Sequence, residues 1–163
     1  MIFLKSWVSE GWWSLWPANW PKFMELSRSE QWLLLQALLM LPLIGLGLRL
    51  LGLRRLQGLL SRWPLKKPAL VPEETISAIA QAQALMVQIA ARHGLYRATC
   101  LRQSLALWGL LRYHGIETNL RIGVKSGDDG LEAHAWVERQ GQPLNDALDM
   151  QQHFNPFSQA IAP

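Results

Sequence analysis

The sequence predicts an α+β protein, a helical N-terminal region followed by a central helix packed on a small antiparallel sheet. Three observations carry that assignment. Leucines recur at helical spacing through residues 32–60, a second helical stripe runs from Leu101 to Leu111, and residues 118–146 switch to two-residue alternation. The 163 residues suit one domain with an extra segment and can bury a core without disulfide or metal staples. With 50% hydrophobic and 17% charged residues, extended disorder is excluded. A single cysteine excludes an internal disulfide and any Cys-rich zinc or iron–sulfur site.

Charge divides the chain. Residues 1–71 hold nine basic and three acidic residues, a balance of +6, whereas residues 72–163 hold seven and nine, a balance of −2. A nucleic-acid binder concentrates cations on its folded module; here the more folded-looking half is mildly acidic, so no nucleic acid is expected as a partner. Five of the nine Trp fall in the first 20 residues. The stretch 1–22 is no secretory signal, because charges break its apolar run and no small-residue cleavage site follows. Trp joins an apolar body to one N–H donor and suits boundaries between apolar and wet surroundings. Docking on a partner, contact with a membrane surface and covering of the helices that follow all stay open for this segment.

Each element then has its own signal. Ser27 and Glu30 form a capping-box pair. The apolar run from Trp32 to Leu48 is 17 residues long, the lower edge for a membrane span. Pro42 removes one helix hydrogen bond, and Gly45 and Gly47 weaken the helix further. After Pro42, Leu43, Leu46, Leu50, Leu53, Leu56 and Leu60 keep helical spacing with Arg49, Arg54 and Arg55 on the other side, an amphipathic pattern. Two consecutive helices packed on the rest of the protein fit this better than a bilayer span. The proline-bearing stretch 62–74 is a linker, which divides the chain into a Trp/Leu-rich docking region (1–62), a linker (63–72) and a folded domain (73–163). Pro72, Glu73 and Glu74 are first-turn residues of the next helix. Its expected apolar stripe is Ile76, Ile79, Met86 and Ile89, ending at Gly94.

The chemistry lies further along. Thr99 is the expected N-cap of the central helix and Gly115 its stop. Cys100 therefore falls in the first turn, where orphan N–H groups and the helix dipole stabilise a thiolate, and its own N–H can donate to an oxyanion. A lone cysteine is more often a small buried hydrophobe, so the strands that follow decide its weight. Leu120, Ile122 and Val124 alternate on one strand. On the next, His134 and Trp136 share a face, flanked by small alanines that leave room at the imidazole ring. Hairpin geometry can bring Asp146 on the returning segment beside His134, fixing its tautomer and turning the other nitrogen toward a thiol. Nucleophile, base and orienting acid then follow in the Cys-His-Asp order of papain-like and transglutaminase-like folds. Asn145 competes for the orienting role, but successive strand residues point to opposite faces, so only one of the two can reach His134. His93, His114 and His153 are scattered, so no metal site is expected. Asp128, Asp129 and Glu132 read as a solvated turn, and no phosphate-binding loop or cofactor motif is present.

The strings RATCLRQSLALWGLLRYHGIETNLRIGV and AHAWVERQGQPLND resemble the transglutaminase-like family of lasso-peptide biosynthesis B proteins, the leader peptidases. The resemblance covers roughly residues 75–150, and the Leu-rich segment 26–62 also resembles the front of these proteins. It implies a transglutaminase-like core and a cysteine protease that removes the leader from a ribosomal precursor peptide. A separate ATP-dependent cyclase then closes the macrolactam. Carried over by position, Cys100 is the nucleophile, His134 the general base and acid, and Asp146 the residue orienting His134. Longer relatives carry a fused, strand-containing leader-recognition domain. Residues 1–70 show no strand alternation, so a separate recognition protein is expected to present the leader. The expected location is the cytoplasm, with peripheral contact to the inner face of the cell membrane as a further expectation. The same three residues could also transfer an acyl group to an amine, and a silent membrane-associated scaffold is the alternative outside enzymology.

Overall fold

The computed structural model describes residues 26–63, 72–94, 98–127, 130–146 and 155–156. The Trp-rich segment 1–22, linker residues 64–71, the Asp128–Asp129 turn and His153 lie outside the described residues. Helix α1 spans Arg28–Ser61, α2 Glu73–His93 and α3 Cys100–Tyr113. Strands β1 (Asn119–Gly127), β2 (Gly130–Arg139), β3 (Gln142–Pro143) and β4 (Asn155–Pro156) form an antiparallel sheet in the order β3-β2-β1-β4. This is the α+β arrangement expected, with the helices and the sheet sharing one core.

Helix α1 begins with the capping box: Glu30 N–H donates to Ser27 Oγ at 3.3 Å and Ser27 N–H to Glu30 Oε2 at 2.8 Å. The helix continues through Pro42 and breaks at Gly52, where φ is 74° and ψ 172°. The helix pair is therefore present, but glycine makes the corner: a φ in the left-handed region costs a Cβ-bearing residue what it does not cost Gly. Beyond the corner the chain doubles back. A Cβ on Gly47 would lie 2.8 Å from Leu56 Cδ1, whereas nine residues of straight helix would separate the two positions by about 13 Å.

The face that α1 buries differs from the expected one. Leu34, Ala37, Met40, Leu41 and Ile44 are buried before the corner, and Leu56 and Leu60 after it. Leu43 (60% exposed), Leu46 and Leu50 (71%) face outward, in line with Trp32, Leu35 and Leu39. Both sides of this helix carry leucine, so hydrophobicity alone does not choose. Small residues choose: Ala37 and Gly45 sit on the buried side and permit close approach. The crossing with α3 is similarly tight, since a Cβ on Gly109 would lie 3.3 Å from Leu60 Cδ2 and 3.4 Å from Met40 Cε.

Helix α2 follows the same rule. Its buried face is Ala80, Ala84, Met86, Val87, Ala90 and Ala91, while Ile79 is exposed and Ile76 and Ile89 are only half-buried. Of the expected stripe only Met86 lies in the core. Alanine brings α2 close to its neighbours, and the bulkier isoleucines flank that contact. Gln83 is fully buried, and neither its amide oxygen nor its nitrogen has a hydrogen-bond partner among the described residues.

Helix α3 is the centre. Every residue from Ser104 to Leu111 is buried, because α1 and α2 pack on it from one side and β1 and β2 from the other. It ends as a Schellman motif, with Ile116 N–H donating to Leu111 O and Gly115 N–H to Arg112 O, each at 2.9 Å, and Gly115 at φ 78°. Arg112 ties this end to α1 through two bonds to the Ser61 carbonyl, at 3.0 and 2.5 Å. After β1 and β2, a two-residue turn at Gln140 (φ 50°) and Gly141 (φ 78°) has the positive-φ pair of a type I′ hairpin. The returning strand is shorter than expected: Leu144 N–H still donates to Val137 O at 2.9 Å, but the Val137 N–H goes to the Asn145 side chain and the ladder ends there, with Asp146 in the bend beyond.

Candidate active site

Cys100 is the first residue of α3, with Thr99 as an extended N-cap at φ −69° and ψ 163°. The Thr99 hydroxyl makes no cap bond. Instead Gln103 Nε2 reaches back to the Ala98 carbonyl at 2.8 Å, as Gln31 reaches Leu26 at the start of α1. That bond fixes how the chain enters the helix beside Cys100. Cys100 is half-buried, at the helix end where unpaired N–H groups and the macrodipole concentrate partial positive charge. Negative charge developing on an attacked carbonyl oxygen is favoured at such a helix end.

His134 lies on β2 opposite Gly123 of β1, a neighbour with no side chain to crowd its ring. Its Nε2 contacts the Asp146 carboxylate, and the two side chains are 22% and 15% exposed. A carboxylate accepting at Nε2 places a proton on that nitrogen. Trp136 stacks on the His134 ring at a centroid distance of 6.2 Å and an interplanar angle of 16°. The indole is braced in turn: Trp136 Nε1 donates to Glu138 Oε1 at 3.0 Å, and Arg121 Nε to Glu138 Oε2 at 2.9 Å.

Asp146, not Asn145, meets His134. Asn145 turns the opposite way, accepting from Val137 N–H at 2.8 Å and donating to Ser104 Oγ at 2.9 Å. Ser104 donates to the Ala135 carbonyl at 2.8 Å. The structure therefore brings His134 and Asp146 into contact. It ties the Cys100 helix to the His134 strand through Ser104, one helical turn after Cys100. Sequence reasoning missed Ser104 and Gln103. The signal for Ser104 was a lone small polar residue, at i+4 from Cys100, ahead of the apolar run LALWGLL.

The remaining histidines stand elsewhere. His93 is exposed at the end of α2, and His114 contacts Gln36 Oε1 at 3.2 Å. A cavity of about 550 Å³ opens at the far end of α3, lined by Trp108, Arg112, Thr118 and Glu138 among others; Cys100 does not line it.

A half-buried cysteine starts a buried helix, and a carboxylate-bound histidine lies on the adjoining antiparallel sheet, the kinds of parts that a papain-like enzyme uses. The chain belongs to the transglutaminase-like superfamily, whose family model matches residues 39–159. The superfamily includes cysteine peptidases and acyl transferases. The match starts within α1, so the second part of the Leu-rich helix is inside it. No curated protein and no solved structure matches the chain.

Proposed function

We propose that this protein is a cysteine peptidase that removes the leader from a ribosomally made lasso-peptide precursor, ahead of macrolactam closure by a separate ATP-dependent cyclase. The observation that carries the peptidase reading is the His134–Asp146 pair, held on the strand to which the Cys100 helix is hydrogen-bonded. The choice of substrate rests on the resemblance of the Cys100 and His134 segments to leader peptidases.

The chemistry follows from the parts. Cys100 Sγ gives its proton to His134 Nδ1 and attacks the scissile carbonyl. The Cys100 backbone N–H donates to the oxyanion, and Asp146 stabilises the imidazolium. His134 then protonates the leaving amine, and a thioester remains on Cys100. Water, deprotonated by His134, attacks the thioester, releasing the leader acid and restoring the thiol. An amine in place of water would complete acyl transfer, the neighbouring reaction of the same superfamily.

Residues 1–62 serve docking in this reading and residues 73–163 catalysis, joined by the linker 63–72. The precursor is presented by a separate recognition protein, which raises the peptide's effective concentration at Cys100. The work takes place in the cytoplasm. Helix α1 is long and apolar enough to cross a membrane, yet its inner face is core. The outward leucines, with the exposed Arg49, Arg54 and Arg55 beside them, suit peripheral contact with an anionic inner leaflet.

Incubating a leader–core precursor with the protein and its recognition partner tests the reading. Wild type releases the leader, Cys100→Ala and His134→Ala release none, and Asp146→Ala works at a reduced rate. Deleting residues 1–22 removes most of the partner's acceleration. Leader release by Cys100→Ala at the wild-type rate would end the peptidase assignment.

A further inference from the structure

We propose that Ser104 and Asn145 are positioning residues, a clasp that locks the helix bearing Cys100 to the strand bearing His134 and the bend bearing Asp146. The proposal rests on the reading of those three as the reacting groups. Its parts are the four hydrogen bonds Ser104 Oγ to Ala135 O (2.8 Å), Asn145 Nδ2 to Ser104 Oγ (2.9 Å), Val137 N to Asn145 Oδ1 (2.8 Å) and Leu144 N to Val137 O (2.9 Å).

Each clasp residue adjoins one reacting residue. Ser104 is four residues after Cys100, on the same helix face; Ala135 follows His134; Asn145 precedes Asp146. The clasp also replaces a missing strand. β3 pairs with β2 only at Glu138 and Arg139, so the outer edge of β2 at Ala135 and Val137 has no ladder partner from β3. Buried backbone groups must nevertheless be satisfied. Leu144, Asn145 and Ser104 supply those partners, and in doing so they bring three distant stretches of chain to one point.

An apolar contact would hold helix against strand but let it slide. Hydrogen bonds are directional and set separation closely, and both ends of this network are used, since the Ser104 hydroxyl donates and accepts and both Asn145 amide atoms are engaged. Ser104 is 0% exposed. Positioning of this kind matters because misplacing a reacting group by about 1 Å can cost about a hundredfold in rate.

Alkylation of Cys100 by iodoacetamide at pH 7 reads the clasp without a substrate, because the chain has one cysteine. The set is wild type, Ser104→Ala, Ser104→Thr, Asn145→Leu and Leu60→Ala, the last a core truncation outside the site, with urea unfolding run on each. Wild type is expected to react faster than a free thiol. Ser104→Ala and Asn145→Leu should each slow alkylation about tenfold, the population effect of losing one hydrogen bond's worth of alignment. Ser104→Thr, which keeps the hydroxyl, should recover most of the rate. Leu60→Ala should lose stability and keep the wild-type rate. If Ser104→Ala does not fold, Asn145→Leu decides alone. Clasp variants that react like a fast wild type would overturn the clasp and leave the site reading standing, as would Leu60→Ala slowing as much as they do. A wild type no faster than a free thiol would overturn both.

Discussion

Helices α1 and α3 are both leucine-rich and meet opposite fates. In α3 the residues from Ser104 to Leu111 are all buried, whereas α1 leaves Trp32, Leu35, Leu39, Leu43, Leu46 and Leu50 in solvent. The difference lies in position: α3 has helices on one side and the sheet on the other, while α1 packs on α2 and α3 along one face. Composition sets how much apolar surface a helix carries, and neighbours set how much of it is removed from water. The proposed function follows the same division: the fully packed helix presents Cys100 at its end, and the helix with an exposed apolar face is the one assigned to docking.

The largest expected effect tests burial directly. Leu105→Ala, at a fully buried position of α3, should cost about 3 kcal/mol by urea denaturation, the cost of lost transfer energy plus a cavity. A smaller effect is expected on the outer face of α1. Leu43→Asp should weaken co-sedimentation with anionic phosphatidylglycerol vesicles about tenfold, because the leucine no longer enters the interface; unchanged sedimentation would assign the outward leucines to something other than lipid. Gln83→Met should raise stability by about 1 kcal/mol, since it removes a buried amide with no partner among the described residues and keeps the volume. The smallest effect is Leu43→Ala, expected below about 0.5 kcal/mol. If Leu43→Ala cost as much as Leu105→Ala, the contrast between the two helices would fail.

Local signals carried well from sequence to structure. The Ser27–Glu30 box, Thr99 before Cys100, Gly115 after the central helix and the alternation of the two long strands depend on residues near one another in the chain. Relations between elements carried poorly. Leu43, Leu46 and Leu50 have the spacing of a buried stripe, but Ala37 and Gly45 on the other side let α1 approach its neighbours more closely. Pro42 is the stronger breaker by type, yet Gly52 makes the corner, because a doubled-back chain needs a positive φ and a proline within a packed helix costs only local bonding. The isoleucines of α2 yield to its alanines for the same reason of approach distance. At the site, strand parity allowed only one of Asn145 and Asp146 to reach His134 and did not choose between them; both lie in a bend beyond β3, where strand alternation does not apply, and Asp146 is the one in contact. Ser104 was not legible: its partners, Ala135 and Asn145, are 31 and 41 residues away, and no local pattern announces them.

In the proposed mechanism Cys100, His134 and Asp146 act as one unit. Iodoacetamide alkylation of Cys100 at pH 7 in wild type, His134→Ala, Asp146→Ala and the His134→Ala/Asp146→Ala double variant tests it most directly. In the proposed mechanism Asp146 acts through His134, so their effects should be non-additive. The expected result is a fast wild type, an intermediate Asp146→Ala, His134→Ala slowed to the rate of a free thiol, and a double variant no slower than His134→Ala. Equal rates in all four proteins would contradict the account.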